Sequence, residues 1–306
     1  MLYDGVKVYP SYEPLKNDDS TVSVAVYHSS THQALADMIE RLLHMRMARE
    51  IFILFKKGDV AEELREKYSS VSWVEFDDVK DRISVFSFAL NEAKTEYFLF
   101  LDTSYDLLFM DADSLLRVFT LDELTVSVSP YIYTKDEVLF PTLIAPKITR
   151  DAKVDSIALC PESTLSANLY PLLLLGMYRK SYMSFYNSDD KKIKGFDHRL
   201  YDAFAHLWLM NYRSYMVSFF SLKCNKEFMP IQDKTVNKDV KILSARLLSF
   251  YKPRGAKCGL KPFWWLSHNM VTVIRDVLPF LKKGVVDFYT LVKKWKFSLI
   301  GTNDLL

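Results

Sequence analysis

The feature that most constrains this chain is a strict alternation between residues 21 and 102. Short apolar runs, "TVSVAVYHSS" (21–30), "EIFILF" (50–55), "VSWVEF" (71–76) and "YFLFLD" (97–102), are separated by longer stretches with helical spacing. "THQALADMIERLLHMR" places Leu35, Met38, Ile39, Leu42 and Leu43 at intervals that gather on one helix face. Thr31 stands where a side-chain cap is needed. "DVAEELREKYSS", opened by Asp59, and "RISVFSFALNEAK" supply the next two helices. Such alternation predicts a parallel sheet with right-handed crossovers and helices on its faces. The run from Tyr97 to Leu101 is continuous and aromatic, as suits a strand buried on both sides. It ends on Asp102, and Asp106 follows four residues later. Ligands of open α/β sheets bind outside the carboxyl ends of the strands, so both aspartates stand where a cation or sugar is held.

The second half changes character. "LTVSVSPYIYT" (124–134), "VLFPTLIAP" (138–146) and "SIALC" (156–160) follow one another with little helix between them, which predicts a mixed extension of the same sheet. After a polar loop, "NSDDKKIK", the stretch "GFDHRLYDAFAHLWLMNYRSY" reads as helix from about Leu200. With 306 residues and 49% hydrophobic content, the chain can bury a sizeable core. The expected layout is a polar lead-in (1–20), an α/β domain (21–250) with halves at 21–110 and 111–250, and a tail (251–306). A net charge of +2 gives no electrostatic case for a nucleic-acid partner. Cys160, Cys224 and Cys258 are far apart and form no C-x-x-C pair, so they are expected as buried thiols in a reducing compartment. The first residues lack the basic start and apolar core of a signal peptide, and the expected location is cytoplasmic. None of the eight glycines forms a dinucleotide or P-loop phosphate cradle, so a bound nucleotide must be held by side chains and other backbone.

From about Val22 to Ser218 the order of these pieces resembles family 2 glycosyltransferases of the GT-A type. "SVAVYHSS" and "LADMIERLL" stand for the family's first strand, turn and helix, and "EIFIL" stands for its second strand. "DVAEELREKYSSV" and "SFALNEAKTEYFLFLD" take the places of the next helix and of the segment leading to the metal site. "YRKSYM" and "KGFDHRL" (194–200) are similar to its R-R-x-x-F and G-G-F-D-E segments. The resemblance implies a Rossmann-related, mainly parallel sheet with a nucleotide-binding half (21–110) and an acceptor half (111–250). It also implies inverting transfer of a sugar from a nucleotide diphosphate to a glycan or lipid-linked acceptor, as in polysaccharide biosynthesis.

The acidic motifs of that family are altered in this chain. Its acidic pair after the second strand is replaced by Phe55 and Lys56, with Asp59 later. Its Asp-x-Asp becomes Asp102-Thr103-Ser104, with Asp106 displaced. Its Glu-Asp base motif aligns with Ala203 and Phe204. The resemblance therefore implies a donor site at His28, Ser30, Lys56, Asp59, Asn91 and Asp102, and Mn2+ or Mg2+ on Asp102 and Asp106. The base that takes the acceptor proton falls to Asp202, His206 or Asp197. Asp202 and His206, one helical turn apart, could act together, or His206 could join the metal shell. The alternative is an inactive pseudo-transferase that binds or scaffolds an active partner transferase.

The tail is basic: between Lys252 and Ile300, ten Lys or Arg stand against Asp276 and Asp287. On a helix, Phe280, Leu281, Val285, Phe288, Leu291, Val292 and Trp295 share one arc. Lys282, Lys283, Lys293, Lys294 and Lys296 fall on the opposite arc. A basic amphipathic helix of this kind, preceded by Trp264 and Trp265, suits the surface of an anionic membrane. Replacing Lys282, Lys283, Lys293 and Lys294 by Glu is expected to release the chain from anionic vesicles in a flotation assay. Equal retention of the variant would end that role.

Overall fold

A computed structural model of the chain describes residues 6–9, 22–60, 62–77, 82–140, 164–183, 193, 195–224, 239 and 242–243. Of the expected strand at 138–146 only 138–140 are described, where Leu139 makes an isolated bridge with Tyr133; the expected strand at 156–160 and the tail at 251–306 lie outside the described residues. The chain divides into two compact units. The first comprises Met1–Ile144, Ala158–Asp189 and Asn211–Ile231, and the second comprises Ala145–Ile157, Asp190–Met210 and Gln232–Leu306.

In the first unit the predicted alternation is present. Strand β1 (Val6–Tyr9) is followed by β2 (Val22–Tyr27), α1 (His32–Leu43), β3 (Ala48–Lys56), α2 (Glu62–Lys67), β4 (Ser72–Phe76), α3 (Arg82–Glu92) and β5 (Tyr97–Asp102). Then come β6 (Tyr105–Met110), α4 (Ala112–Leu121), β7 (Thr125–Tyr133), β8 (Leu165–Asn168), β9 (Gly176–Arg179), the four-residue α5 (Lys180–Met183) and, after the second unit's α6 (Phe196–Leu209), the long strand β10 (Arg213–Cys224).

The strand order is β1-β4-β3-β2-β5-β9-β7-β10-β6, with β8 against β10. The four strands β4, β3, β2 and β5 run parallel, as the crossovers require. The chain moves outward from β2 to β3 and β4, then returns through α3 to place β5 on the other side of β2. That reversal makes the carboxyl ends of β2 and β5 the switch point of the sheet. Beyond β5 the sheet is mixed, because β9 enters antiparallel to both β5 and β7.

Two cores sandwich the parallel strands. On one face, Val22, Val24, Val26, Leu99 and Leu101 meet Leu35, Met38, Ile39 and Leu42 of α1, whose first turn is capped by Thr31 accepting from the Ala34 amide at 3.2 Å. The opposite face is aromatic. Phe86 of α3 meets Phe98, Phe100 and Tyr178 edge-on, with ring centroids at 5.6, 5.2 and 4.9 Å. Edge-to-face rings add about 0.5–1.5 kcal/mol each beyond their buried area. Ser23 and Ala25 register beside Phe98 and Phe100, and their small side chains leave room for the rings.

Four sequence expectations need adjustment. Val6–Tyr9, inside the expected lead-in, forms β1 against β4. Asp59 does not open α2: it lies in the turn after β3, and the helix runs from Glu62. Helix α6 starts at Phe196 rather than near Leu200. Asp106 does not lie in the turn after β5 but on β6, where Tyr105 and Leu107 are buried while Asp106 and Leu108 are exposed. With one polar residue in six, the segment shows no period-two alternation in its sequence, and beside a longer apolar strand it did not stand out as a second strand.

Strand β9 fits between its neighbours only through a glycine. Gly176 has φ +152°, and a Cβ there would stand 2.7 Å from the Val128 carbonyl oxygen and 3.2 Å from Ser129 Cα, both backbone atoms. Gly176→Ala is expected to destabilise the fold by about 1–3 kcal/mol or more, read as a lowered urea midpoint. An unchanged midpoint would show that the β7–β9 approach is looser than described.

Candidate functional site

The switch point is built from two adjoining loops. Tyr27 and Asp102 are register partners at the ends of β2 and β5, and the Thr103 amide donates to the Tyr27 carbonyl at 3.0 Å. The strand pairing thereby continues one step beyond the sheet. The Ser29 amide donates to the Thr103 hydroxyl at 3.0 Å, and that hydroxyl lies 3.3 Å from His28 Nδ1.

Asp102 is the centre of this cluster and is only 2% exposed. Its Oδ1 accepts from the Ser29 hydroxyl at 2.5 Å and from the Ser104 amide at 2.7 Å. Its Oδ2 pairs with Arg82 Nη1 at 2.6 Å. Arg82, the first residue of α3, has its guanidinium carbon 5.9 Å from the Tyr27 ring and 5.7 Å from the Phe100 ring. Its Nε and Nη2 are shut off from water and have no hydrogen-bond partner among the described residues. Burial, and secondarily the charge of Asp102, push the Tyr27 hydroxyl above its ordinary value.

The structure gathers some of the predicted donor residues and not others. His28 and Ser30 lie on the loop after β2, and Asp102 is the last residue of β5. Lys56 is the exposed last residue of β3. Asp59 meets this region through its backbone, its carbonyl lying 2.7 Å from His32 Nε2. Asn91 sits in the last turn of α3, at the opposite end of that helix from Arg82, where its carbonyl accepts from Lys180 at 3.3 Å.

Ser29 and Arg82 were missed by sequence reasoning. A cation on the first residue of a helix faces the positive end of the helix dipole, and this unfavourable placement was the available sign that Arg82 has a fixed anionic partner.

In the second unit, Asp197, Asp202 and His206 all lie on α6, Asp197 in its first turn and His206 in its last. Asp202 and His206 are half-buried. An imidazole–carboxylate contact that the sequence did not suggest occurs near the start of this helix. Asp239, 1% exposed, accepts from the Gly195 amide at 2.6 Å, and its Oδ2 lies 3.4 Å from His198 Nδ1. These partners lie more than forty positions apart in sequence, beyond the reach of any local pattern.

The expected pair, Asp102 and Asp106, does not fit a divalent ion. Mn2+ and Mg2+ need carboxylate oxygens open to them. Both oxygens of Asp102 are engaged by Arg82, Ser29 and Ser104, and Asp106 is on β6. Among the described residues no group of three or more His, Cys, Asp or Glu is placed to hold a metal.

No family model matches the sequence, and no curated protein matches it. The structure is similar to the crystal structure of GalNAc-T7 with UDP, GalNAc and Mn2+, at 12% identity and a TM-score of 0.55. The match covers 78% of this chain and 51% of that one, so the present chain spans about half the length of the solved structure. The fold is GT-A-like, a mixed sheet with a parallel centre flanked by helices. Among the described residues, no helix is long and apolar enough to cross a membrane.

His28 provides a check on the buried cluster. Burial lowers its pKa first, then the adjacent His32, whose ring centroid is 5.8 Å away; Asp59 and Asp102 act in the opposite sense. A histidine with a folded pKa below its unfolded value near 6.5 contributes fully above that value, and the contribution is lost as pH falls through the interval between the two. Urea unfolding at stepped pH between about 7 and 5 is expected to show falling stability, with a shallower fall in His28→Gln. Parallel slopes in the two proteins would remove His28 as the source.

Proposed function

We propose that this chain is a glycosyltransferase that takes a nucleotide diphosphate sugar as donor and a glycan or lipid-linked hydroxyl as acceptor. The observation that carries the proposal is the polar cluster of His28, Ser29, Asp102, Thr103, Ser104 and Arg82 at the switch point of a GT-A-like sheet. Sheets of this kind bind ligands in that crevice. UDP and GalNAc accompany the structurally similar GalNAc-T7, which supports a nucleotide-sugar donor for this chain.

The order of motifs supports the finer assignment to family 2 and to inversion. In such a transfer the acceptor oxygen attacks the anomeric carbon, a base takes its proton, and the nucleotide diphosphate leaves with the bonding electrons. Asp202, His206 and Asp197 are the candidate bases, joined by His198, whose Nδ1 lies 3.4 Å from Asp239 Oδ2. The basic tail is proposed to bring the enzyme to the cytoplasmic face of an anionic membrane, where lipid-linked acceptors are presented. A second function, an inactive subunit that scaffolds an active transferase or a second copy, is favoured by the closure of Asp102 onto Arg82.

The test is a panel of UDP-, GDP-, dTDP- and CDP-sugars, with binding read by calorimetry and release of nucleotide diphosphate read by coupled assay. One donor is expected to bind saturably and to be turned over. The variant among Asp197→Asn, Asp202→Asn, His206→Gln and His198→Gln that keeps binding but loses about 10²–10⁴-fold in turnover identifies the base. Binding without turnover under every acceptor condition would favour the scaffold. No binding of any donor would overturn the transferase.

A further inference from the structure

We infer that Arg82 is the resident cation of this site: its guanidinium, held by Asp102, binds the diphosphate of the donor in place of a divalent metal. The inference rests on the donor site proposed above and adds how the charge of the donor is neutralised.

The geometry of the guanidinium carries the argument. Arginine has two edges that can each donate a pair of N–H groups, and Asp102 uses only the Nη1 end. The other edge, Nε with Nη2, has no hydrogen-bond partner among the described residues and has already lost its water. That edge is a fork of parallel donors, the shape that matches two oxygens of one phosphate group. An acceptor arriving there would satisfy N–H groups whose desolvation is already complete, so the usual loss of water on binding is reduced.

Position agrees with this role. Arg82 begins α3 immediately after the crossover from β4, so it stands at the carboxyl end of the parallel strands, beside the ends of β2 and β5. It is anchored on three sides, by Asp102, by the ring of Tyr27 and by the ring of Phe100. Its side chain keeps 17% of its surface exposed through atoms other than Nε and Nη2, which are covered, so a diphosphate reaches that edge only by displacing what lies over it. Asp102 repels a diphosphate when alone and is neutral towards it when paired with Arg82. A divalent ion at Asp102 would have to displace this guanidinium and leave an unpaired buried charge, which is strongly unfavourable.

The experiment is calorimetric titration of the full chain with UDP, GDP, dTDP and CDP, each in EDTA and again with Mn2+, alongside the matching nucleosides. For the diphosphate that binds, the two dissociation constants are expected to agree within about threefold, a difference of less than one hydrogen bond. Arg82→Ala is expected to weaken the diphosphate by about 10- to 100-fold, the loss of one charge-assisted pair, and to leave the nucleoside unchanged. Asp102→Asn separates the alternatives in direction. It frees the guanidinium and should hold or tighten diphosphate binding, whereas a metal-ligand role for Asp102 demands loss.

If Arg82→Ala fails to fold because Asp102 is left unpaired, the double variant Arg82→Ala/Asp102→Asn removes both charges and is expected to show the same weakening. Binding that requires Mn2+, or that is unchanged in the Arg82 variants, overturns the inference while leaving the transferase standing. Absence of any diphosphate binding in both conditions overturns the two together.

Discussion

A carboxylate taken out of water must be matched in charge and in hydrogen bonds, and Asp102 sets this requirement at the end of the central strand. Desolvating a carboxylate costs several kcal/mol, and only good geometry with satisfied lone pairs compensates. Three separate segments meet the demand: Arg82 from the start of α3, Ser29 from the loop after β2, and the Ser104 amide from the turn after β5. Each fixes its own segment in return. The ion pair ties the end of the β4–α3 crossover to β5, and the serine hydroxyl ties the β2 loop to it. The loops at the switch point are thus held by one charge, which explains how an irregular stretch of backbone can stay ordered beside a sheet.

The same arrangement bears on chemistry. Transfer from a nucleotide diphosphate needs positive charge near the phosphates and a base near the acceptor. The sheet unit holds a guanidinium with one edge unpartnered among the described residues. Acidic motifs that look degraded when read as metal ligands gain a different sense once Arg82 is present. A carboxylate whose task is to hold an arginine needs no second carboxylate nearby, and Asp106 is released to serve as an exposed residue of β6.

Much of the fold was legible in local pattern. The spacing of Leu35, Met38, Ile39 and Leu42 and the Thr31 cap described α1 closely, because a half-buried helix imprints its period on its own sequence. Continuous apolar runs marked β2, β3, β4 and β5 because strands covered on both faces have no polar side. Short strands were harder. β9 has four residues, and its place between β5 and β7 follows from pairing with segments about 80 and 50 residues away. The site was half legible: Asp102 announced itself by ending an apolar strand, while Arg82 looked like an ordinary helix residue.

By itself, then, the sequence determined which segments are strands and helices in the parallel half, that they alternate, and that an aspartate closes the central strand. These are consequences of nearest-neighbour periodicity and of the handedness of crossovers, both local properties of the chain. Only the tertiary structure decided what that aspartate meets. Its partners come from 73 residues before and 20 residues before in sequence, and no period or propensity relates positions so far apart. Burial makes an unpaired charge intolerable, and the folded chain resolves it by choosing the arginine that the crossover brings within reach.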